Sequence, residues 1–246
     1  MSATSTDGAA LARLAGLLAD RTRASFCLAL LDGRAWTAGE LARAAAVAPS
    51  TASEHLDRLV AGGLLVEERQ GRHRYLRLAG PSVAQLVEDL AGHTPGAARP
   101  ARSLRAVRAD AALAYARTCY DHLAGRLGVL LRDTMLTRGL LDERAGLTLT
   151  PAGRDWLGGL DVPMAAPGRR PLLRDCLDWT ERRPHLAGAL GAALCGRLFD
   201  LGWLTRGTGR AVRLTPAGGP ALADALGLTV ADLAPVAAPD TGGGRA

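Results

Sequence analysis

The sequence predicts a mainly helical α+β protein built in two parts, and three observations carry that prediction. Four apolar-periodic segments crowd residues 9–61, two strand-like pieces flank an Arg-rich turn at 65–78, and the chain then repeats itself after a Gly- and Pro-rich stretch. The boundaries that follow are a first domain over 1–91, a linker over 92–103, a duplicated helical domain over 104–228 and a flexible tail over 229–246.

In chain order, Leu11, Leu14, Leu17 and Leu18 form one stripe, which predicts a helix over 9–19. "RTRASFCLALLD" predicts a second over 21–32, stopped by Gly33. Ala38–Ala45 is a short third helix with Leu41 and Ala45 inward, and "AVAP" turns the chain. The fourth helix, 50–61, opens at Ser50 or a neighbour as its cap. Ala52, Leu56, Leu59 and Val60 face inward, leaving Ser50, Thr51, Ser53, Glu54, His55 and Arg58 outward. A hairpin follows through a Gln-Gly turn, with Glu67 and Glu68 beside its arginines on the strand taken to face away from any nucleic acid, and Pro81 opens a helix over 81–91.

The charge balance is uneven. Residues 1–95 hold 10 Arg and 10 acidic residues, so the net +6 belongs wholly to residues 96–246. Nucleic-acid binding by the front part must therefore rest on a local patch. Such a patch exists: Arg69, Arg72, His73, Arg74 and Arg77 fall in nine residues without an acid. Phosphate contacts of this kind position a protein on a duplex. Small polar side chains at a helix N-terminus reach base edges in the major groove, and the helix N–H groups favour a phosphate. No apolar run approaches the roughly 20 residues of a bilayer span, and residues 1–8 lack the features of a secretion signal, so a cytoplasmic protein with no membrane contact is expected.

Residues 18–78 resemble the winged helix-turn-helix domain of ArsR-type bacterial repressors, through "ELA", "STASEHLDRL", "AGGL" and "GRHRYLRL" taken in order. The resemblance implies a homodimeric transcriptional regulator on a pseudo-palindromic double-stranded DNA operator. It also implies a recognition helix over 50–61 and a dimer interface formed by helices 9–19 and 81–91. Metal-sensing members carry a Cys pair in the helix that here reads "ELARAAAV", so that metal site does not transfer. The alternative is a winged-helix module that binds proteins rather than specific DNA.

In the second half, "HLAGRLGVLLRDTMLTRGLL" (122–141) aligns without gaps to "HLAGALGAALCGRLFDLGWL" (185–204) with nine identities, and each copy continues into "LTPAG". Each unit reads as a helix, a hairpin and a short helix opened at Pro151 or Pro216, which resembles the back of a winged-helix domain. The copies are expected to pack about a pseudo-twofold. Candidate sensing residues are Cys119, His122, Cys176, Trp179 and His185. Cys119 and His122 are placed on one helix face by their spacing of three. A Cys₂His₂ cluster is the alternative to plain buried thiols or a thiol switch, but the irregular spacing leads to the expectation of no metal and no cofactor. Trp179, Tyr115, Tyr120 and Trp203 are expected to line a pocket for a small organic effector between the copies. No hydrolase elbow, phosphate loop, dinucleotide fingerprint or HExxH occurs, so no enzyme is expected.

Overall fold

The computed structural model describes residues 7–71, 73–94, 103–165 and 170–235. The chain divides into two compact units, Met1–Glu88 and Asp89–Ala246. Among the described residues no helix is long and apolar enough to cross a membrane.

The first unit is a winged helix-turn-helix. Helices α1 (Gly8–Leu18) and α2 (Arg21–Ala29) precede a 3₁₀ turn at Leu30–Asp32, where the sequence pattern alone had continued the helix. The buried Asp32 carboxylate explains the break. It accepts hydrogen bonds from the Arg34 N–H (2.9 Å) and Trp36 Nε1 (2.9 Å), turning the chain into a two-residue strand β1 (Trp36–Thr37) that periodicity did not predict. β1 pairs with β3 (His73–Leu78), which pairs with β2 (Leu65–Gln70), giving the sheet order β1-β3-β2. Between them, α3 (Ala38–Ala45) opens on a capping box formed by Thr37 and Glu40, and α4 (Pro49–Ala61) follows the corner. Phe26, Cys27, Leu41, Ala52, Leu56, Leu59, Leu65 and Leu76 fill the core. Helix α5 (Pro81–His93) comes after the sheet.

The second unit mixes helices with hairpins. After α6 (Leu104–Tyr115) the chain runs through β4 (Arg117–Cys119), β5 (His122–Ala124), α7 (Arg126–Thr137), β6 (Leu141–Asp142), β7 (Thr148–Leu149) and α8 (Pro151–Gly159). The same series then recurs as β8 (Arg174–Leu177), β9 (Pro184–Ala187), α9 (Gly188–Asp200), β10 (Leu204–Arg206), β11 (Val212–Leu214) and α10 (Gly218–Leu226). Leu123, Leu127, Leu131, Met135, Leu186, Leu190, Leu194 and Leu198 share one core. Two expectations change here. "CYDH" lies on a hairpin rather than a helix, because Tyr120, with φ of 59°, turns the strand back on itself. Within residues 229–235, read as part of the tail, Leu233 is anchored: it is buried and the Tyr115 hydroxyl donates to its carbonyl.

The shared "HLAGxLG" has a backbone explanation. Gly125 and Gly188 sit at φ of 78° and 87°, and a Cβ at either would lie within 3 Å of backbone carbonyl oxygens. Three residues on, a Cβ at Gly128 would lie 2.4 Å from the Leu123 oxygen and 3.6 Å from His185 Cβ, and one at Gly191 would lie 2.5 Å from the Leu186 oxygen and 3.5 Å from His122 Cβ. Each helix thus presses against the histidine of the other half.

Gly128→Ala is accordingly expected to destabilise the protein by ~1–3 kcal/mol, overpacking having to outweigh the ~1 kcal/mol that alanine gains in a helix. Gly196→Ala, in α9 with nothing within 4 Å, should stabilise it instead. Urea midpoints of the two variants check the opposite signs.

Candidate nucleic-acid interface and buried thiol–imidazole cluster

The first candidate site is the exposed end of α4 with the adjoining hairpin. Ala48, not Ser50, occupies the N-cap position, and it makes no side-chain cap bond. Pro49 takes the first helical place, where its missing N–H costs nothing. The first helical bond runs from the Ala52 N–H to the Ala48 carbonyl, so the Ser50 and Thr51 N–H groups point off the helix end. Ser50, Ser53, Glu54 and Arg58 are exposed and Thr51 is half-buried. This edge is bare and rich in hydroxyls.

His55 does not belong to it. Its side chain is only 17% exposed, with Nδ1 lying 3.6 Å from Asp20 Oδ1 and 3.4 Å from Arg23 Nη1. Arg23 also donates to the Gly16 and Leu17 carbonyls at the end of α1. His55 therefore ties α4 to the α1–α2 junction.

The hairpin is also sorted by its partners. Arg74 is 18% exposed and bridges Asp57 on α4 (2.7 Å) to Glu67, so it braces the wing against the helix. Glu67 shares its face of the ladder with Arg69 and Arg74 and holds both. Glu68, one residue along, lies on the opposite face. Arg69 and Arg77 are exposed, and His73 meets Tyr75 edge to face. Arg72 lies outside the described residues.

The second candidate site lies inside the C-terminal unit. Cys119 faces His122 directly across the β4–β5 ladder, and Cys176 faces His185 directly across β8–β9. Directly opposed residues share a face, so each hairpin presents one thiol and one imidazole. The two pairs meet. Cys119 Sγ is 3.9 Å from Cys176 Sγ, and the two Nε2 atoms are 3.2 Å apart. One ligand atom from each of the four residues lies within 4.8 Å of the others, and all four residues are buried. The sequence placed His122 and His185 in equivalent positions and left a Cys₂His₂ cluster as an alternative.

Each imidazole has a carboxylate at its other nitrogen. Asp121 Oδ1 lies 3.2 Å from His122 Nδ1, and Asp178 Oδ2 lies 3.4 Å from His185 Nδ1. Arg170 neutralises Asp121. Asp178 is fully buried against an equally buried Arg117, 2.9 Å away, and accepts from the Gly125 N–H at 2.6 Å. Burial pushes the Asp178 pKa up, but Arg117 and the Thr180 hydroxyl outweigh it and hold the carboxyl well below the carboxylate range. At Cys176 the Cys119 hydrogen bond, with help from the two imidazoles, drives the thiol pKa down against burial. Burial keeps His185 below the ordinary histidine value.

Trp179 does not line the groove described below. Its ring receives the Arg117 guanidinium at 4.4 Å in a cation–π contact. An open groove of about 960 Å³ lies elsewhere in the unit, lined by Tyr115, Arg126, Leu214, Pro216, Val230 and Leu233 among others. Of the four aromatics expected to line a pocket, Tyr115 alone is in this groove.

Residues 18–68 match the family model described as "Helix-turn-helix domain". A curated relative, the "Uncharacterized HTH-type transcriptional regulator YdfF" of Bacillus subtilis (strain 168), is 40% identical over 212 residues, covering 85% of this chain and 93% of the relative. The chain belongs to the HTH-type transcriptional regulators. Similar solved structures include the homodimeric winged helix-turn-helix DNA-binding domain of Mb0332 from Mycobacterium bovis, 32% identical, covering 35% of this chain and 83% of that one with a TM-score of 0.31. The cadmium metal-sensor CMTR from Mycobacterium tuberculosis is 33% identical, with coverages of 38% and 99% and a TM-score of 0.30.

The thiols outside the cluster are chemically quiet. Burial pushes Cys27 up to about 11 and Cys195 up to about 12. Since the thiolate is the nucleophile, neither should be alkylated by iodoacetamide in the native regulator at neutral pH, and both should be after unfolding; peptide mass mapping reads the result.

Proposed function

We propose that this regulator is a sequence-specific repressor that binds a pseudo-palindromic DNA operator as a homodimer in the cytoplasm, with helix α4 as the reading element. The observation that carries the reading is the bare edge formed by Ser50, Ser53 and Glu54 at a helix end with no side-chain cap, beside the exposed Arg69 of the wing. A major groove admits such a helix, and small side chains allow close approach to base edges. The wing arginines supply sequence-independent grip on phosphates. Half-sites about one helical turn (~10 bp) apart match a twofold dimer.

Dimerisation through the terminal helices fits α1. It contains no buried residue, and Leu11 on its apolar stripe is 60% exposed. A relative of similar sequence is described as homodimeric. The C-terminal unit, whose two hairpin–helix series we read as winged-helix-like repeats, is the sensing part. It responds to a small molecule or to the redox state of Cys119 and Cys176, which the 3.9 Å sulfur separation supports.

Fluorescence anisotropy with the DNA upstream of the regulator's own coding sequence tests the reading. Ser50→Ala combined with Ser53→Ala should lower the ratio of specific to nonspecific affinity by roughly tenfold. Arg69→Ala should weaken binding to all sequences and flatten the slope of log affinity against log salt by about one unit. Arg74→Ala should weaken binding with the slope unchanged, since that side chain is spent on Asp57 and Glu67. Binding that ignores all three substitutions would leave α4 a protein-docking surface.

A further inference from the structure

We propose that Cys119, His122, Cys176 and His185 form a tetrahedral site for one thiophilic divalent cation of the zinc class, seated where the two hairpins of the C-terminal unit converge. The inference deepens the sensing reading above, in that it names what the two thiols hold.

Four observations converge on it. The first is the spacing of the donors. A tetrahedral ion with metal–sulfur bonds of ~2.3 Å and metal–nitrogen bonds of ~2.0–2.1 Å sets its sulfurs about 3.8 Å apart and its nitrogens about 3.3–3.4 Å apart. Here those separations are 3.9 Å and 3.2 Å. The second is orientation. Asp121 Oδ1 at 3.2 Å favours a proton on His122 Nδ1. The Asp178 carboxylate, 3.4 Å from His185 Nδ1 and too poorly aligned for a hydrogen bond, favours one there by its charge. That leaves the two Nε2 atoms, 3.2 Å apart, as the ligand atoms. Two acceptors 3.2 Å apart repel each other unless a proton or a cation lies between them.

The third observation is charge. Two thiolates, two neutral imidazoles and one divalent ion sum to zero, which a buried centre tolerates. The nearby carboxylates do not disturb that balance, because Arg170 offsets Asp121 and Arg117 offsets Asp178. A monovalent ion would leave the centre negative. The fourth is enclosure: all four donor residues come from the protein and all are buried, as in a closed site rather than a catalytic one with an open position. Each sulfur–metal bond replaces an S–H bond, whose proton leaves to solvent. The ion then links β4–β5 to β8–β9, two segments that share no sheet among the described residues.

Full-length protein loaded with zinc and passed over a desalting column should retain one zinc per chain, read by elemental mass spectrometry. Cobalt(II) in its place should give the intense visible bands of tetrahedral coordination and a thiolate-to-cobalt charge-transfer band. Asp121→Asn, which leaves every donor atom in place, should weaken zinc binding by roughly 10–100-fold in competition with a chromophoric chelator. Cys119→Ser combined with Cys176→Ser should abolish the charge-transfer band, circular dichroism confirming that the variant is folded. If that double variant fails to fold, the Asp121→Asn result decides. Substoichiometric zinc in the wild-type protein, octahedral cobalt spectra, or zinc affinity unchanged in Asp121→Asn would overturn the site. The two readings separate cleanly. Protein that holds no zinc, yet whose operator affinity responds to oxidants, loses the metal site and keeps the sensor; protein that holds zinc, yet binds no DNA, loses the regulator reading and keeps the metal site.

Discussion

Close approach between the two halves of the C-terminal unit is the constraint on which its architecture depends. At Gly128 and Gly191 the neighbouring backbone leaves no room for a methyl group and the opposing histidine lies at van der Waals distance, and at Gly125 and Gly188 the chain takes a positive φ against backbone carbonyls. These four glycines let α7 meet His185 and α9 meet His122. Every contact among the two thiols and two imidazoles follows from that proximity. A side chain at either helical glycine would first strike the Leu123 or Leu186 carbonyl, on the strand that carries the histidine.

A hydrogen-bonded frame makes the centre rigid. Asp178 gathers the Arg117 guanidinium, the Thr180 hydroxyl and the Gly125 amide onto one carboxylate while facing His185. Removing one partner from such a buried pair is costly, because the other is left charged and unsatisfied. Arg132 does similar work nearer the surface, bonding both oxygens of Asp175 on β8 as well as Glu143. The unit therefore fixes its hairpins by charge and backbone polarity as much as by apolar packing.

The N-terminal unit divides labour in a way that residue type alone conceals. Among its basic and ring-bearing side chains, Arg23, His55 and Arg74 hold helices and wing together, whereas Arg58, Arg69 and Arg77 face outward. Asp20 claims His55, and Asp57 with Glu67 claims Arg74, while Arg69 touches Glu67 at 3.4 Å and still stays 77% exposed. A wing read only as a run of arginines overstates the charge offered to a ligand.

Apolar periodicity and punctuation by Gly and Pro determined α1, α3, α4, the hairpin β2–β3 and the outward hydroxyl edge, since these depend on neighbours three or four residues away or across a short turn. The internal likeness of 122–141 to 185–204 was also plain in the residues themselves. Strand β1 and the end of α2 were not, because Asp32 makes its bonds through a turn with no apolar period. Nor was the placement of Cys119 opposite His122: three-residue spacing suits a helix face as well as a two-residue hairpin, and only the left-handed Tyr120 settles which. Bringing that pair to Cys176 and His185, across 57 and 63 residues of chain, was decided in three dimensions alone. Local pattern encodes which face a residue takes; the meeting of two distant faces depends on the packing of everything between them.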